Sequence, residues 1–409
     1  MRGSPKRRIV IVGGGFAGIG AARALPAGPE VTLIDRKPNF EFLPNIHEIV
    51  SGLKKPSTVG LSHERMARDR EQTFVQDEVT AIDPAQRVVI TSSQRIPYEA
   101  LIVAPGGRPA ADGVAGAEAQ ACFFRSAGDA ERVRGRLEVL AALPGGGDVT
   151  IVGGGFTGVE VLGEILRKYR KRRRLRVRLI ESGRRLMGDW PKVLHRRVKK
   201  IAARHDVELR LETRVAQVEP DHITLTTGES LPSHLTIWTA GARAPRFVES
   251  AGLPIGASGW ADVDDTLASR SFPGVFVAGD VAQLRMRVRK QGAEALRLGA
   301  RAAKNARRFL AGRGLKPFRR DDVPLLVTVG DLDAFVLLDD DTVLEGQALA
   351  AGRELVFQEH MATLDDAPGR GSVRRLAKRL RAGEKKLRWR RSLFPFRALE
   401  QLLDFRIHP

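Results

Sequence analysis

The sequence predicts an α/β fold with two Rossmann-like units, each a parallel sheet wound to hold a dinucleotide, followed by a C-terminal α+β cap and a basic tail. Three observations carry that prediction. Strand, glycine-rich turn, helix, second strand and terminal acid follow one another twice, starting near residues 9 and 149. The chain has 409 residues, enough for two or three domains with sizeable cores. Its single cysteine, Cys122, excludes an intrachain disulfide, and the usual zinc spacings are absent.

In the first unit, residues 9–25 read IVIVGGGFAGIGAARAL. The β-branched run is a short buried strand, and the Ala-rich stretch behind the glycines is a helix. Between them lies Gly13-x-Gly15-x-x-Gly18. Gly13 permits the tight turn, Gly15 lets the backbone approach a pyrophosphate, and Gly18 allows the helix to pack close to the strand. The helix N-terminus favours the phosphates. The next strand, EVTLID, ends at Asp35, 22 residues beyond Gly13 and near the spacing that grips a ribose hydroxyl pair.

The second unit, VTIVGGGFTGVEVLGEIL over residues 149–166, gives Gly153, Gly155 and Gly158 the same three roles. Its second strand, residues 176–180, ends at Glu181, 28 residues after Gly153. A helix extended through the basic run KYRKRRRLR accounts for the longer gap, its charges forming a solvated helix end. A carboxylate at Glu181 accepts hydrogen bonds from a ribose 2′-hydroxyl and repels a 2′-phosphate, which favours NADH over NADPH. Arg184 and Arg185, close behind, weaken that preference. Two dinucleotides on one chain point to electron transfer between them.

Composition narrows the setting. No run of about 18 apolar residues suggests a membrane-spanning helix. The basic MRGSPKRR start leads into a strand too short for a signal peptide, so a cytoplasmic protein is expected. The net charge is +20, and residues 371–409 hold twelve Lys/Arg against three acids. Such an excess suits an anionic partner, a lipid surface or a nucleic acid. Cys122 reads as a small buried or half-buried residue.

Further segments bring in a family. GVFVAGD, residues 274–280, is a buried strand with a Gly-Asp turn, and its place behind the two glycine turns resembles the two-dinucleotide-binding flavoproteins. That resemblance implies FAD at the first turn, with Asp280 on its ribityl chain. YEALIVAPG, residues 98–106, resembles the strand and turn that lead from the FAD domain to the NAD domain, with Ala104-Pro105-Gly106 where Ala-Thr-Gly is usual. Residues 35–44, DRKPNFEFLP, resemble the stretch passing the FAD ribose towards the flavin, and TIWTAGAR, residues 236–243, resembles the crossover after the NAD domain. With residues 290–336 these cover about 330 residues and are most similar to type II NADH dehydrogenases. Those are peripheral membrane oxidoreductases that pass electrons from NADH through FAD to a quinone without pumping protons. Sulfide:quinone reductases share the plan but need cysteines absent here.

The resemblance implies FAD contacts at Gly13, Gly15, Gly18, Asp35, Arg36, Val79, Ala104, Gly106, Gly279 and Asp280. It implies NADH contacts at Gly153, Gly155, Gly158, Glu181 and Gly241, and no metal. It also implies three catalytic positions. Glu160, read as lying on the first turn of the second unit's helix, would stand between nicotinamide and flavin and handle a proton or hydride. Its other reading is a carboxylate that complements the helix dipole. Glu164, one turn later, reads as a helix-surface or interdomain residue. Where the family's acceptor-site helix begins Ala-Gln-x-Ala-x-Gln-Gln, this chain has Lys290-Gln291-Gly292-Ala293-Glu294-Ala295-Leu296. Gln291 is retained, and the two later glutamines are replaced. The helix N-terminus would face the flavin, with Lys290 either adding a full charge there or serving as a solvated cap.

Beyond residue 320 the pattern changes. Residues 323–350 alternate strands with an acidic turn, as expected of an antiparallel sheet capping the flavin domain, and Asp339–Asp341 read as that solvated turn. Residues 372–409 interleave Lys/Arg with Trp389, Phe394, Phe396 and Phe405. This suits an interfacial segment on an anionic membrane, with docking on the protein itself as the other reading. Nucleic acid is disfavoured because no recognised motif accompanies the charge.

The expected organisation is an FAD domain at 1–112 and 262–320, an NAD domain at 113–261, a cap at 321–371 and a tail at 372–409. The expected activity is an FAD-dependent NADH dehydrogenase passing electrons to a quinone on the inner face of the cell membrane. Two alternatives stay open: an NADH-dependent reductase of another carrier such as ferredoxin, and a binding or signalling flavoprotein like the apoptosis-inducing factors. The sequence leaves the oligomeric state open, a homodimer included.

Overall fold

A computed structural model describes residues 8–365, except 27–29, 112, 172–173, 189, 322–323, 339–342 and 347. The basic tail and Asp339–Asp341 therefore lie outside the described residues.

Two all-parallel five-stranded sheets organise the chain. The first runs Val275–Val277, Ala100–Val103, Ile9–Val12, Val31–Asp35, Thr73–Gln76. All residues of Ile9–Val12 and Ala100–Val103 are buried, as expected of apolar β-branched runs covered on both faces. The second runs Cys122–Phe123, Leu235–Trp238, Gly147–Val152, Leu175–Ile180, Glu208–Arg210. In each sheet the chain leaves a central strand through the glycine turn and returns on one side, and the strand bordering the central one on the other side, Ala100–Val103 or Leu235–Trp238, comes later, although Cys122–Phe123 at the edge of the second sheet comes earlier. Each glycine turn thus lies at a topological switch point, where doubly wound sheets bind ligands.

The second sheet is inserted between the fourth and fifth strands of the first in chain order. The outgoing crossing, Arg108–Pro109, pairs antiparallel with the returning one, Ala242–Arg243. Helix Gly292–Leu310 packs along helix Phe16–Ala24, burying Leu296, Leu298, Ala302 and Ala303.

Two expectations need correction here. The second unit's helix spans Phe156–Tyr169 and does not run through the basic stretch, whose Leu175 and Arg176 already belong to the next strand. Residues 170–174 are five consecutive cations, which would repel one another at helical spacing. Arg170 is instead taken up by a two-pronged bond to Asp331 at 2.6 and 2.9 Å. The longer gap before Glu181 comes mostly from the helix itself, 14 residues against 9 in the first unit.

The C-terminal sheet (Leu325–Val329, Asp333–Leu337, Val343–Glu345) is antiparallel as expected, but it does not sit on the half expected to hold FAD. It packs on helix Phe156–Tyr169, where Gly163 and Gly330 bring the two backbones into contact and leave no room for a Cβ on either. An 18-residue helix, Ala348–Asp365, then crosses back to the first half. Leu364 O accepts from Arg23 Nη1 at 3.0 Å, Phe357 packs edge-on to Phe42 at 5.4 Å, and Asp365 pairs with Arg65. The C-terminal region therefore braces both halves.

Candidate active site

The two glycine turns are built alike. Gly13 and Gly153 adopt φ of +98° and +108°, a left-handed region that a side chain would strain. A Cβ on Gly18 or Gly158 would run into the carbonyl of Gly13 or Gly153. A Cβ on Gly15 or Gly155 would meet nothing within 4 Å, so open space lies at the start of each helix. Neither helix has a side-chain cap or an acid in its first turn. Each turn thus offers unsatisfied backbone N–H groups and positive potential to an open volume.

The strand-end acids are fixed by backbone. Asp35 accepts from Gly14 N at 2.6 Å and Lys37 N at 2.8 Å. Glu181 accepts from Gly154 N and Gly183 N, each at 2.7 Å. Arg184 pairs with Glu212 at 3.2 Å on the surface, and Arg185 donates to the carbonyls of Gly188 and Trp190. The two arginines that weakened the NADH preference are therefore held by other partners. His63, which sequence reasoning missed, sits buried beneath the first turn, its ring nitrogens 2.9 Å from Gly14 O and 3.0 Å from Lys37 O.

The remaining candidates flank these turns. Ala104 is buried and donates to Val12 O at 2.7 Å, and Gly106 (φ +71°) follows it. Gly241 (φ +63°) lies against Ala110 at the returning crossing. Gly279 and Asp280 form the turn after Val275–Val277. Arg36 is exposed and reaches Glu78 at 3.8 Å, and Val79 begins the half-buried strand Val79–Asp83.

Helix Gly292–Leu310 starts one residue past Gln291, which occupies the N-cap position without a side-chain cap bond. Both polar atoms of the Gln291 amide are buried and without a hydrogen-bond partner. Lys290 is exposed, yet its ammonium is engaged. Its ammonium lies 3.8 Å from the centroid of the Trp260 ring and donates to the carbonyl of Asp280. Although solvent reaches the side chain, protein packed around the ammonium pulls it down to about 8. Ala295 and Leu296, which replace the family's glutamines, are buried and bring no polar group.

Between the halves lies a buried cluster of charge. Glu160 is the fifth residue of its helix, in the second turn rather than the first, so the helix dipole does not account for it. It accepts from Arg353 Nη1 at 2.9 Å and stands 3.7 Å from His47 Nδ1. Arg353 comes from the C-terminal helix, is 6% exposed, and also donates to Thr328 Oγ1 at 3.0 Å and to Pro44 O. Burial pushes Glu160 up to about 7, with Arg353 pulling partway back. Burial, then Arg353, holds His47 well below its ordinary value, so the imidazole is neutral, and its Nε2 has no partner. Glu164, expected at a surface or between domains, is fully buried and bonded to Ser51 of the first half and to Arg167.

Lys54 extends this cluster outward, 3.6 Å from Glu48 and 2.6 Å from Glu354. It also lines a cleft of about 810 Å³ between residues 53–65 and the C-terminal helix, whose apolar walls include Leu53, Leu61, Phe357 and Met361. Arg353, His47 and Lys54 were not anticipated. The chemistry on offer is a carboxyl poised near neutrality with a neutral imidazole 3.7 Å from it, in a chain that carries two dinucleotide-shaped turns.

Comparison with known proteins identifies the family and the fold. The family described as pyridine nucleotide-disulphide oxidoreductase matches residues 7–306. Demethylphylloquinone reductase NdbB of Synechocystis sp. is 26% identical over 372 residues, 86% of this chain and 91% of the relative. Type II NADH:quinone oxidoreductase of Haemophilus influenzae is 27% identical over 385 residues, 80% of this chain and 86% of the relative. The structure of NDH2 from Plasmodium falciparum in complex with NADH aligns with a TM-score of 0.77 at 16% identity, covering 87% of this chain and 94% of that one.

Proposed function

The chain belongs to the pyridine nucleotide-disulphide oxidoreductase family, and from that premise we propose that it is an FAD-dependent NADH dehydrogenase delivering electrons to a quinone. The observation that carries the proposal is the pair of glycine turns, each with open space before an uncapped helix and an acid held at its mouth by backbone.

FAD fits the first half. Gly13, Gly15 and Gly18 leave the cradle that a diphosphate requires, and Asp35 stands at the ribose end. The orphaned amide of Gln291 is a buried donor and acceptor awaiting a polar ligand, as the flavin's pyrimidine edge would be. Arg36, Val79, Ala104, Gly106, Gly279 and Asp280 complete the proposed FAD contacts. Bound there, FAD supplies the two-electron chemistry that links NADH to the quinone. NADH takes the second turn at Gly153, Gly155 and Gly158, with Glu181 on the ribose and Gly241 at the crossing.

The chain's own residues position the cofactors and manage protons. Reduction of a quinone by NADH consumes one proton beyond the hydride. Glu160, with a value of about 7, holds or releases a proton near neutral pH at little cost. Arg353 fixes its orientation, and neutral His47 offers the adjacent nitrogen. Lys290, packed against Asp280 and Trp260, keeps positive charge at the N-terminal end of helix Gly292–Leu310. The cleft lined by Lys54 and Phe357 is the proposed approach for the apolar acceptor.

Anaerobic addition of NADH to the purified holoprotein should bleach the flavin's visible band, and a short-chain quinone should restore it. Absence of bleaching would remove the proposal. Bleaching without reoxidation would leave a reductase of another carrier, the reading that apolar Ala295 and Leu296 favour. Peripheral attachment to the inner face of the cell membrane is proposed through residues 372–409. Among the described residues no helix is long and apolar enough to cross a membrane. Deleting 372–409 should move the protein from the membrane pellet to the supernatant.

A further inference from the structure

A large positive charge on the folded body has no part in the proposed chemistry. Residues 295–320 hold nine Lys/Arg and no acid. The fold gathers this charge on one face. Past helix Gly292–Leu310 the chain turns and runs back along it as a strap. Arg308 Nε donates to Gly314 O, Asn305 Nδ2 to Lys316 O at 2.8 Å, and Arg297 Nη2 to Arg319 O at 3.1 Å. Arg301 falls on the same helical stripe, four residues from both Arg297 and Asn305. The strap is thus held by its carbonyls, while its side chains Arg313, Lys316 and Arg319 are exposed, as is Arg307 on the helix. Arg297 is paired with Glu294 and Asp321, but among the described residues Arg301, Arg307, Arg313, Lys316 and Arg319 enter no ion pair.

The chemistry of the face selects its partner. The helix has 19 residues, a length of about 28 Å, and carries charge along it. Among the described residues the exposed large apolar side chains, Leu43, Leu53, Val139, Leu143 and Leu355, all lie elsewhere in the chain. Protein interfaces are centred on buried apolar and aromatic anchors, which this face lacks. Adsorption to an anionic bilayer asks only for basic side chains within a Debye length of the headgroups. The last described residues also lie beside this layer. Leu364 O accepts from Arg23 on helix Phe16–Ala24, along which helix Gly292–Leu310 packs. The chain therefore continues towards residues 372–409, the proposed attachment, from next to this helix pair.

We propose that the strap and the stripe of helix Gly292–Leu310 beneath it form a second membrane contact, adsorbing by charge to the phosphodiester headgroups of an anionic bilayer. This contact goes beyond the attachment proposed for residues 372–409, because it belongs to the folded body and turns a fixed face of it towards the lipid. The two act together, since a single weak anchor gives only marginal, reversible binding. No cofactor enters the contact, so its failure leaves the redox reading untouched.

The test measures co-sedimentation of the full-length, FAD-loaded protein with vesicles of phosphatidylcholine, alone or mixed in equal parts with phosphatidylglycerol. The first variant combines Arg301→Gln, Arg307→Gln, Arg313→Gln, Lys316→Gln and Arg319→Gln. Its partition onto mixed vesicles should be about tenfold or more weaker, which one or two fully felt charges would supply. Partition onto phosphatidylcholine alone should not change, and the gap to the wild type should close as salt rises. A second variant combines Lys192→Gln, Arg196→Gln, Lys199→Gln, Lys200→Gln and Arg204→Gln. It removes as many exposed cations from helix Lys192–Arg204 and should lose far less. FAD content and melting temperature report folding of both. No wild-type partition onto mixed vesicles, or equal partition of wild type and first variant, would overturn the inference. So would equal losses in the two variants, because net charge alone would then decide. Unchanged vesicle partition with weaker binding to duplex DNA would assign the face to nucleic acid and overturn it as well.

Discussion

Replacing Arg353 with methionine tests the link between the C-terminal helix and the proposed proton site. The side chain length is nearly kept, but the guanidinium that bonds Glu160 at 2.9 Å and Thr328 at 3.0 Å, and lies 3.8 Å from Glu48, is gone. Removing one partner of a buried ion pair costs about 3–5 kcal/mol, because the other charge stays buried without compensation. Glu160 can relieve that cost by keeping its proton. Its folded value, about 7, already lies above the ordinary 4.5, so its contribution to stability is whole below 4.5 and is lost as pH rises through 7. That loss is about 3 kcal/mol in the wild type. Without Arg353 the folded value climbs further, the loss grows, and its window extends to higher pH. Urea unfolding of the holoprotein should therefore show Arg353→Met to be costly near pH 9 and much less so near pH 5. In a Glu160→Gln background the pH dependence of that cost should shrink, leaving the part that Arg353 exerts through His47. A cost equal at both pH values, or unchanged by Glu160→Gln, would refute the coupling.

Three further outcomes are expected. Gly13→Ala should yield colourless protein, whereas Gly153→Ala should retain FAD but resist bleaching by NADH, since each strains only its own turn (φ +98° and +108°); absorbance before and after NADH checks both. Glu181→Gln should narrow the preference for NADH over NADPH by about tenfold in kcat/KM, because the amide no longer repels a 2′-phosphate. Lys290→Met should lower the flavin's two-electron potential by about 20–40 mV in a dye-coupled titration, the equivalent of losing one partly screened charge.

What was legible in the sequence was what is local. Gly13, Gly15, Gly18 and Asp35 fall within one strand–helix–strand unit, and their order alone dictates the turn. Glu160 was found by its distance from Gly158, but its turn was miscounted because the helix begins at Phe156, directly after Gly155. Arg353 could not be read at all. Its partner is 193 residues away, and a single arginine in a mixed helical stretch looks like any solvated one. His47 and Lys54 follow directly on the stretch that resembled the flavin approach, yet only burial distinguishes them from loop polar residues. The seat of the C-terminal sheet was hidden for a related reason. Alternation marked its strands, but the choice between halves rests on Gly163 meeting Gly330. The length of the second helix was misjudged because lysine and arginine are good helix formers singly, whereas five in a row are not.

The insertion of one sheet within the other also sets a timetable for synthesis. Ala100–Val103 leaves the ribosome about 170 residues ahead of Val275–Val277, the strand that covers its open edge. At roughly 5–20 residues per second, that apolar edge waits roughly 10–30 s. Meanwhile all the strands of the second sheet emerge and can pair with one another. Of the two five-stranded sheets, that of the half proposed to hold FAD is thus begun first and finished last, and it acquires its Gly292–Leu310 helix only after the strand is in place. Cofactor capture becomes a late event of the whole chain. Expression that outruns the flavin supply should fail first at the waiting edge, as aggregated nascent or newly released protein rather than soluble apoprotein.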